Sequence, residues 1–441
     1  MTQDSRQLFA DRRRFLAGLA ALPIVGAAKE VSAKPAPSKS TAKIVILGAG
    51  AAGLAAASQL SERLDGAVIT LIDGRKEHYY QPGYTLIAAG IKPRQYSVSQ
   101  TADYVPKKAE WISERAAEID PEGNKVITES GSAFRYDFLI VASGLELNYG
   151  GIEGMDTALI GKNGLGSVYF GPDGALATWQ VMSEFSKKGG VGLFGRPLGE
   201  MKCAGAPLKY TFITDDRLRR QEVRKKAELI YMAQNTTLFG VPIVSEKVRM
   251  LFANRGVKVN YEHVLKSIDP QRRIATYQTP SGKVEQGYDF INVVPPMRAP
   301  EVVRKSPLPW TAGPNAADGW IEADKNTLRH LRYPNIFAVG DVAGIPKGKT
   351  AASVKWQVPV AVDHLMGDIT GKASTASYNG YTSCPLITRL GRAMLIEFDY
   401  NNNLVESFPG IVAPLEELWI SWVMKTMALK PTYISMLRGR A

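Results

Sequence analysis

Residues 43–73 read KIVILGAGAAGLAAASQLSERLDGAVITLID, and the fold turns on this stretch. Ile44-Val45-Ile46-Leu47 is an apolar run of the kind that forms a buried parallel strand. Gly48-Ala49-Gly50-Ala51-Ala52-Gly53 then turns the chain into an alanine-rich helix. Gly48 permits a tight turn, Gly50 lets a pyrophosphate approach bare backbone, and Gly53 lets helix and strand pack closely. The N–H groups of the first helical turn point at the same place, so Ala51 and Ala52 belong to the phosphate cradle. A second apolar strand, Ala67 to Ile72, ends at Asp73, where a carboxylate can accept hydrogen bonds from an adenosine ribose.

A chain of 441 residues is too long for one ordinary core, which sets two or three domains as the expectation. The formal net charge of +12 is spread along the chain. No basic run is interleaved with aromatics, so a nucleic-acid partner is not expected. The first segment stands apart. Arg12-Arg13-Arg14-Phe15-Leu16 precedes a short apolar run, Ala17 to Ala28, and Val31-Ser32-Ala33 offers a small-residue cleavage site. Residues 1–33 resemble a twin-arginine export signal, which carries folded proteins and places this one on the periplasmic side of the inner membrane. Residues 34–42, with Lys34-Pro35-Ala36-Pro37-Ser38, read as a mobile linker.

Downstream, Lys125 to Thr128 and Phe134 to Tyr136 form a hairpin pattern. Asp137 to Ala142 is a buried strand ending in a small-residue turn at Ser143-Gly144. Pro334 to Val339 is another strand, ending in Gly340-Asp341. This arrangement resembles the glutathione reductase-like flavoproteins with two dinucleotide domains. There the flavin domain is split in the sequence, a second domain is inserted, and the aspartate meets the flavin's ribityl chain. The resemblance implies FAD, held by the Gly48 turn, Asp73, Ser143, Gly144, Gly340 and Asp341, with Gln81 in the polar loop after Asp73 also facing the cofactor. Lys347 to Ser353 reads as a loop capped by Thr350 and entering a helix. Lys349 is either a cation aimed at the flavin's N1–C2=O edge or a solvated loop lysine.

The middle of the chain, residues 151–300, lacks a second intact G-x-G-x-x-G. Val191 to Phe194 reads as its strand, but Gly195-Arg196-Pro197-Leu198-Gly199 puts proline and bulk where a pyrophosphate needs bare backbone. A degenerate second Rossmann domain follows, with NAD(P)H not expected as electron source.

The chain has two cysteines. Cys203 lies in Lys202-Cys203-Ala204-Gly205-Ala206-Pro207, a small-residue turn with a cation next in sequence, which favours a thiolate. Cys384 lies in Tyr381-Thr382-Ser383-Cys384-Pro385. Two readings stand: a structural disulfide of an exported protein, or a redox pair that meets at the flavin.

At these residues the chain resembles the sulfide:quinone oxidoreductases, in the branch shared by bacteria and mitochondria. The matching stretches are Tyr79-Tyr80-Gln81-Pro82, Lys202 to Pro207, Phe239-Gly240-Val241, Val294-Pro295-Pro296-Met297, Gly340-Asp341 with Lys349 to Ala352, and Tyr381 to Leu386. The resemblance implies that Cys203 and Cys384 are a redox pair, bridged directly or through an extra sulfur. Sulfide would attack at Cys384 and leave a persulfide there, while Cys203 would face flavin C4a. Lys349 would take the catalytic role of the two readings given for it, quinone would be the electron acceptor, and the sulfur acceptor stays open. Some relatives tether FAD through a further cysteine. None is left here, so FAD is expected to be non-covalent. The alternatives are a flavocytochrome c type sulfide dehydrogenase, which is also exported, and a non-enzymatic flavin-binding scaffold.

Residues 376–441 carry the last element. Leu415, Leu418, Trp419, Trp422, Val423 and Met427 recur at helical spacing. Lys430-Pro431 is expected to break this helix before a second one at Tyr433 to Leu437. Two short helices with tryptophans, methionines and flanking Lys425, Lys430, Arg438 and Arg440 suit a bilayer interface. A helix packed on the protein's own surface or on a second copy in a homo-oligomer is the other reading. The histidines are scattered, so no metal site is expected. The expected class is therefore α/β: a flavin domain from residues 43–150 and 301–375, the degenerate second domain between them, and a C-terminal membrane-interface region.

Overall fold

The computed structural model of the protein describes residues 36–440, so the export signal expected at 1–33 lies outside the described residues. Strand β1 (Lys43–Leu47) leads through the glycine turn to helix α1 (Ala51–Arg63), and β2 (Val68–Ile72) follows. With β3 (Ala109–Ile112), β4 (Phe138–Val141) and a strand much later in the chain, Ile336–Ala338, they form one parallel five-stranded sheet. Its order runs Ile336–Ala338, β4, β1, β2, β3, so β1 is central. That placement accounts for its sequence: helices or loops cover both faces, and Ile44 to Leu47 are all buried. The linker expectation for residues 34–42 needs correction in its second half. Ser38–Lys39 pair in parallel with Leu64–Asp65, where the open backbone at the end of α1 supplies partners.

A second parallel sheet lies between the two halves of the first. It contains β5 (Leu165–Gly166), β6 (Gly190–Gly195), β7 (Ala227–Met232), β8 (Val257–Asn260) and β9 (Phe290–Asn292), in the order β5, β9, β6, β7, β8. Helix α2 (Pro172–Lys188) precedes β6, and α3 (Ala206–Arg220) follows it. The chain passes between the domains at two adjacent places, Glu146–Leu147 and Met297–Arg298, which pair antiparallel.

The strand Ile336–Ala338 is β10, and helix α4 (Ala351–Thr370) follows it, capped as expected by the Thr350 hydroxyl, which accepts from Ser353 N–H. An antiparallel hairpin, β11 (Thr382–Arg389) and β12 (Arg392–Phe398), then packs against α3. The tail departs from expectation. Pro431 does not break it: Trp419–Val423, a wide π turn at Met424–Ala428 and Leu429–Leu437 form one run, α5. A proline has no N–H to give to the preceding turn, and a π turn is the local distortion that absorbs such a missing bond. The hydroxyls of Thr426 and Thr432 donate to the carbonyls of Trp422 and Ala428 within this run. The last turns of α5 dock on α1, where Leu437 is fully buried and its carbonyl accepts from the Ser58 hydroxyl at 2.7 Å. Helix α1 is rich in alanine because the sheet, α4 and α5 all crowd against it.

Candidate active site

The glycine turn behaves as its spacing requires. Gly48 has φ +104°, and a Cβ there would stand 2.6 Å from the Ala142 carbonyl oxygen; at Gly53 it would stand 1.7 Å from that of Gly48. Gly50 is different, because a Cβ there would meet nothing within 4 Å and no side chain caps the start of α1. Bare N–H groups therefore face an open cradle, with Ala51 and Ala52 forming the first turn above it. The Asp73 carboxylate accepts from Ala49 N–H and Arg75 N–H, each at 2.8 Å, which fixes it beside the turn. Ser143 Oγ is buried without a protein partner, and Gly144 has φ +71° with open space beside it. Gly340 donates its N–H to Gln357 Oε1 at 2.8 Å. Burial raises the Asp341 carboxyl, opposed by the charges of Lys202 and Lys349. All these groups follow the C-terminal ends of β1, β2, β4 and β10, the edge at which open α/β sheets bind ligands. The orphaned serine oxygen, the uncapped helix and the oriented acid fit a dinucleotide.

Lys349 is no solvated loop lysine. It is 5 % exposed, its Nζ donates to the carbonyls of Asp341 and Ala343 at 2.7 and 3.0 Å, and it lies 3.6 Å from the Trp320 ring centroid. Burial pushes it down to about 8. Its own carbonyl accepts from Cys203 N–H at 3.0 Å, which ties the cofactor edge to the first cysteine.

Cys203 has φ +47°, an uncommon conformation for a side-chain-bearing residue, at the turn before α3. The Tyr169 hydroxyl, at 2.9 Å from the Cys203 carbonyl and 3.2 Å from that of Lys202, holds this turn. Cys384 comes from β11, and a Cβ on Gly205 would stand only 2.3 Å from its sulfur. The glycine thus lets Cys384 rest against the N-terminus of α3. Both cysteines are free here, and their sulfurs lie close enough for each to act on the other's titration. The neighbouring Cys384 is the largest reason the Cys203 thiol is held far below its ordinary range; burial opposes it, and Lys209 and Lys425 add to it. Cys384 is pushed up by Cys203 and by burial. The two sulfurs titrate as a unit, and the neighbouring lysine charges favour its singly deprotonated form, with the lowered thiol at Cys203.

Lys202, the adjacent residue, is the cation expected from sequence to stabilise the thiolate. The structure corrects this: Lys202 Nζ turns away to donate to Gln81 Oε1 at 2.7 Å. The cations that face the sulfurs are Lys209 and Lys425, 2 % and 3 % exposed. Lys209 Nζ lies 3.5 Å from Cys203 Sγ; burial lowers it, but the two sulfurs prevail and raise it. Lys425 reaches in from α5 and donates to the Pro82 carbonyl at 2.8 Å. Burial, reinforced by Lys209, lowers it to about 7.

The expected headgroup role of the tail cations is accordingly corrected for Lys425, and Lys430 is occupied as well, donating to the Tyr96 carbonyl at 2.7 Å. Met436 and Leu437 are buried in the flavin-domain core rather than free for insertion. What stays outward is Met427, 68 % exposed, with Phe408 and Ile411 in the preceding loop. Lys209, in the first turn of α3 and six residues after Cys203, carries no signal in sequence that it faces the sulfurs. Tyr169 and Gly205 carried no recognisable signal alone.

Residues 42–170 match the family model described as pyridine nucleotide-disulphide oxidoreductase. Over 91 % of this chain and 87 % of the relative, the protein is 36 % identical to the mitochondrial sulfide:quinone oxidoreductase of Dictyostelium discoideum. It is 34 % identical to the mitochondrial sulfide:quinone oxidoreductase of Mus musculus, over 83 % and 80 % of the two chains. In fold it is similar to the crystal structure of the sulfide:quinone oxidoreductase from Aquifex aeolicus, with a TM-score of 0.74, 22 % identity, and coverage of 90 % and 92 %.

Proposed function

This chain belongs to the sulfide:quinone oxidoreductase family, and on that premise we propose that it oxidises sulfide at the Cys203–Cys384 pair and passes the electrons to quinone. The observation that carries the reading is the convergence of Cys203 and Cys384 at the start of α3, with the buried Lys209 Nζ 3.5 Å from Cys203 Sγ and the Cys203 N–H donating to the Lys349 carbonyl at the dinucleotide edge. In the oxidised, bridged pair, a hydrosulfide ion attacks the Cys384 sulfur. A new sulfur–sulfur bond forms there, the bond towards Cys203 breaks, and Cys203 leaves with the electron pair as a thiolate. Lys209, Lys425 and the N-terminus of α3 stabilise that leaving charge before any further step. A flavin held at this edge would supply two-electron acceptor chemistry beside the Cys203 thiolate, between the sulfide and quinone halves of the reaction.

The Gly48 turn, Asp73, Ser143, Gly144, Gly340 and Asp341 would hold the flavin as FAD, with Gln81 positioned by Lys202, and Lys349 fixing the backbone beneath Asp341. With both cysteines in the relay the FAD is non-covalent, so acid precipitation is expected to release all of it into the supernatant. Colour retained in the pellet would contradict this.

The enzyme is peripheral on the membrane, and the outward Met427, Phe408 and Ile411 support that reading. Among the described residues no helix is long and apolar enough to cross a bilayer. The twin-arginine pattern supports export to the periplasmic side. A flavocytochrome c type dehydrogenase is the less favoured reading, since the relatives over most of the chain carry quinone oxidoreductase names.

Anaerobic titration tests the function. Sulfide should bleach the flavin absorbance and soluble quinone restore it, whereas NADH should do nothing, because Arg196-Pro197-Leu198 fills the second nucleotide turn. Bleaching by NADH but not by sulfide would overturn the reading.

A further inference from the structure

At the C-terminal end of the second sheet, three buried polar atoms have no partner among the described residues: Arg196 Nε, Tyr231 Oη and Asn292 Nδ2. Strand register sets Tyr231 and Asn292 on one face of the sheet, on either side of Phe194. Phe194 of β6 pairs with Tyr231 of β7 on one side. On the other side the pairing of Gly192 with Phe290 and of Leu193 with Ile291 runs on to Asn292. Arg196 follows two residues after Phe194, just past the strand, and its charge acts on the Tyr231 phenol. Tyr231 and Asn292 are 0 % and 3 % exposed, and Arg196 has no carboxylate partner among the described residues.

The cluster adjoins the reacting sulfurs. Asn292 Oδ1 accepts from Val168 N–H at 3.2 Å, and the next residue is Tyr169, whose hydroxyl holds the Cys203 carbonyl. Tyr169 is within electrostatic reach of both sulfurs and of Arg196. A guanidinium N–H, an amide N–H and a phenol, all desolvated and all able to donate, are the complement of an anion. They occupy the sheet end that a nucleotide would use in a two-dinucleotide enzyme, at the turn where Arg196 has replaced bare backbone.

We infer that Arg196, Tyr231 and Asn292 form a binding site for a small sulfur anion behind the Cys203 turn. The anion is either the hydrosulfide on its way in or the anion that carries the sulfur away. The inference rests on the proposed sulfide chemistry for its identity, but the site itself can be read without turnover.

The experiment uses holoenzyme of wild type, Arg196→Gln, Arg196→Lys and Tyr231→Phe. Sulfate, as an inert probe, should raise the melting temperature of wild type, weakly that of Arg196→Lys, and not that of Arg196→Gln. In kinetics Arg196→Gln should raise a KM about tenfold at little changed kcat, with Tyr231→Phe acting in the same direction. A raised KM for sulfide in flavin reduction identifies the incoming anion, and a raised KM for sulfite as added acceptor identifies the outgoing one. Equal sulfate shifts and unchanged KM values in Arg196→Gln would overturn the inference and leave ordered water as the occupant. If wild type is not reduced by sulfide at all, the proposed function fails, while the sulfate shift still decides the site.

Discussion

Holoenzyme carrying Cys203→Ser or Cys384→Ser is expected to show no bleaching of its flavin by sulfide on the time scale of wild type. The loss should be on the order of 10³-fold or more, the scale of removing a nucleophile or leaving group. Flavin content should stay at wild-type level, because the Gly48 turn and the Gly340–Asp341 turn lie on different strands from both cysteines. The two variants should differ in one respect. Cys384→Ser leaves Cys203 facing Lys209 and Lys425, whereas Cys203→Ser removes the sulfur that they face. Iodoacetamide should therefore label Cys384→Ser at low pH and label Cys203→Ser only slowly. If either variant were reduced by sulfide at the wild-type rate and lost only about 2–5 kcal/mol of stability, the pair would be a structural disulfide and the relay would fall.

Lys425→Met is expected to slow flavin reduction about tenfold or more and to move the acid limb of its pH profile up by roughly one unit. The reason is electrostatic: beside the neighbouring Cys384, the charges of Lys209 and Lys425 hold the Cys203 thiol down. Removing one charge makes the thiolate a poorer leaving group. Stability should change in the opposite sense. Burial lowers Lys425 from 10.5 to about 7 in the folded chain. Between these values the unfolded chain binds more protons than the folded one, so this group makes stability rise with pH. Its cost is full below about pH 7 and vanishes above 10.5. Lys425→Met should thus melt higher than wild type at pH 6, with an advantage that shrinks towards pH 10. A variant that lost rate and stability together at pH 6 would point to a packing role alone. The same geometry fixes the expected effect of removing residues 415–441. That deletion takes away Lys425 and the buried Tyr433, Met436 and Leu437, so the sulfide step should suffer along with quinone turnover.

Much of the frame is carried by short segments. The apolar run before Gly48, the glycine spacing and Asp73 each act within a few residues, where turn sterics and strand burial leave few alternatives. The same holds for Ser143-Gly144, for Gly340-Asp341 and for the Thr350 cap. Even the loss of the second nucleotide turn is a local matter, because proline and arginine side chains occupy space wherever the fold puts them. The pairing of Cys203 with Cys384 rested on family contexts, and the structure brings their sulfurs together against Gly205.

The environment of those sulfurs belonged to tertiary structure alone. Lys202 is adjacent to Cys203 in sequence but turns to Gln81, while Lys209 reaches back from α3 and Lys425 arrives from α5. On a helical wheel Lys425 is an ordinary polar-face lysine. It is a buried cation because the π turn of α5 packs on the flavin domain, where Lys425 donates to the Pro82 carbonyl. Arg196 just past β6, Tyr231 in β7 and Asn292 in β9 likewise share one sheet end only through parallel pairing. Local sequence sets backbone conformation through forces that act over one or two turns. Which charges share a low-dielectric space depends on packing between distant segments, where desolvation and Coulomb attraction decide what each charge does.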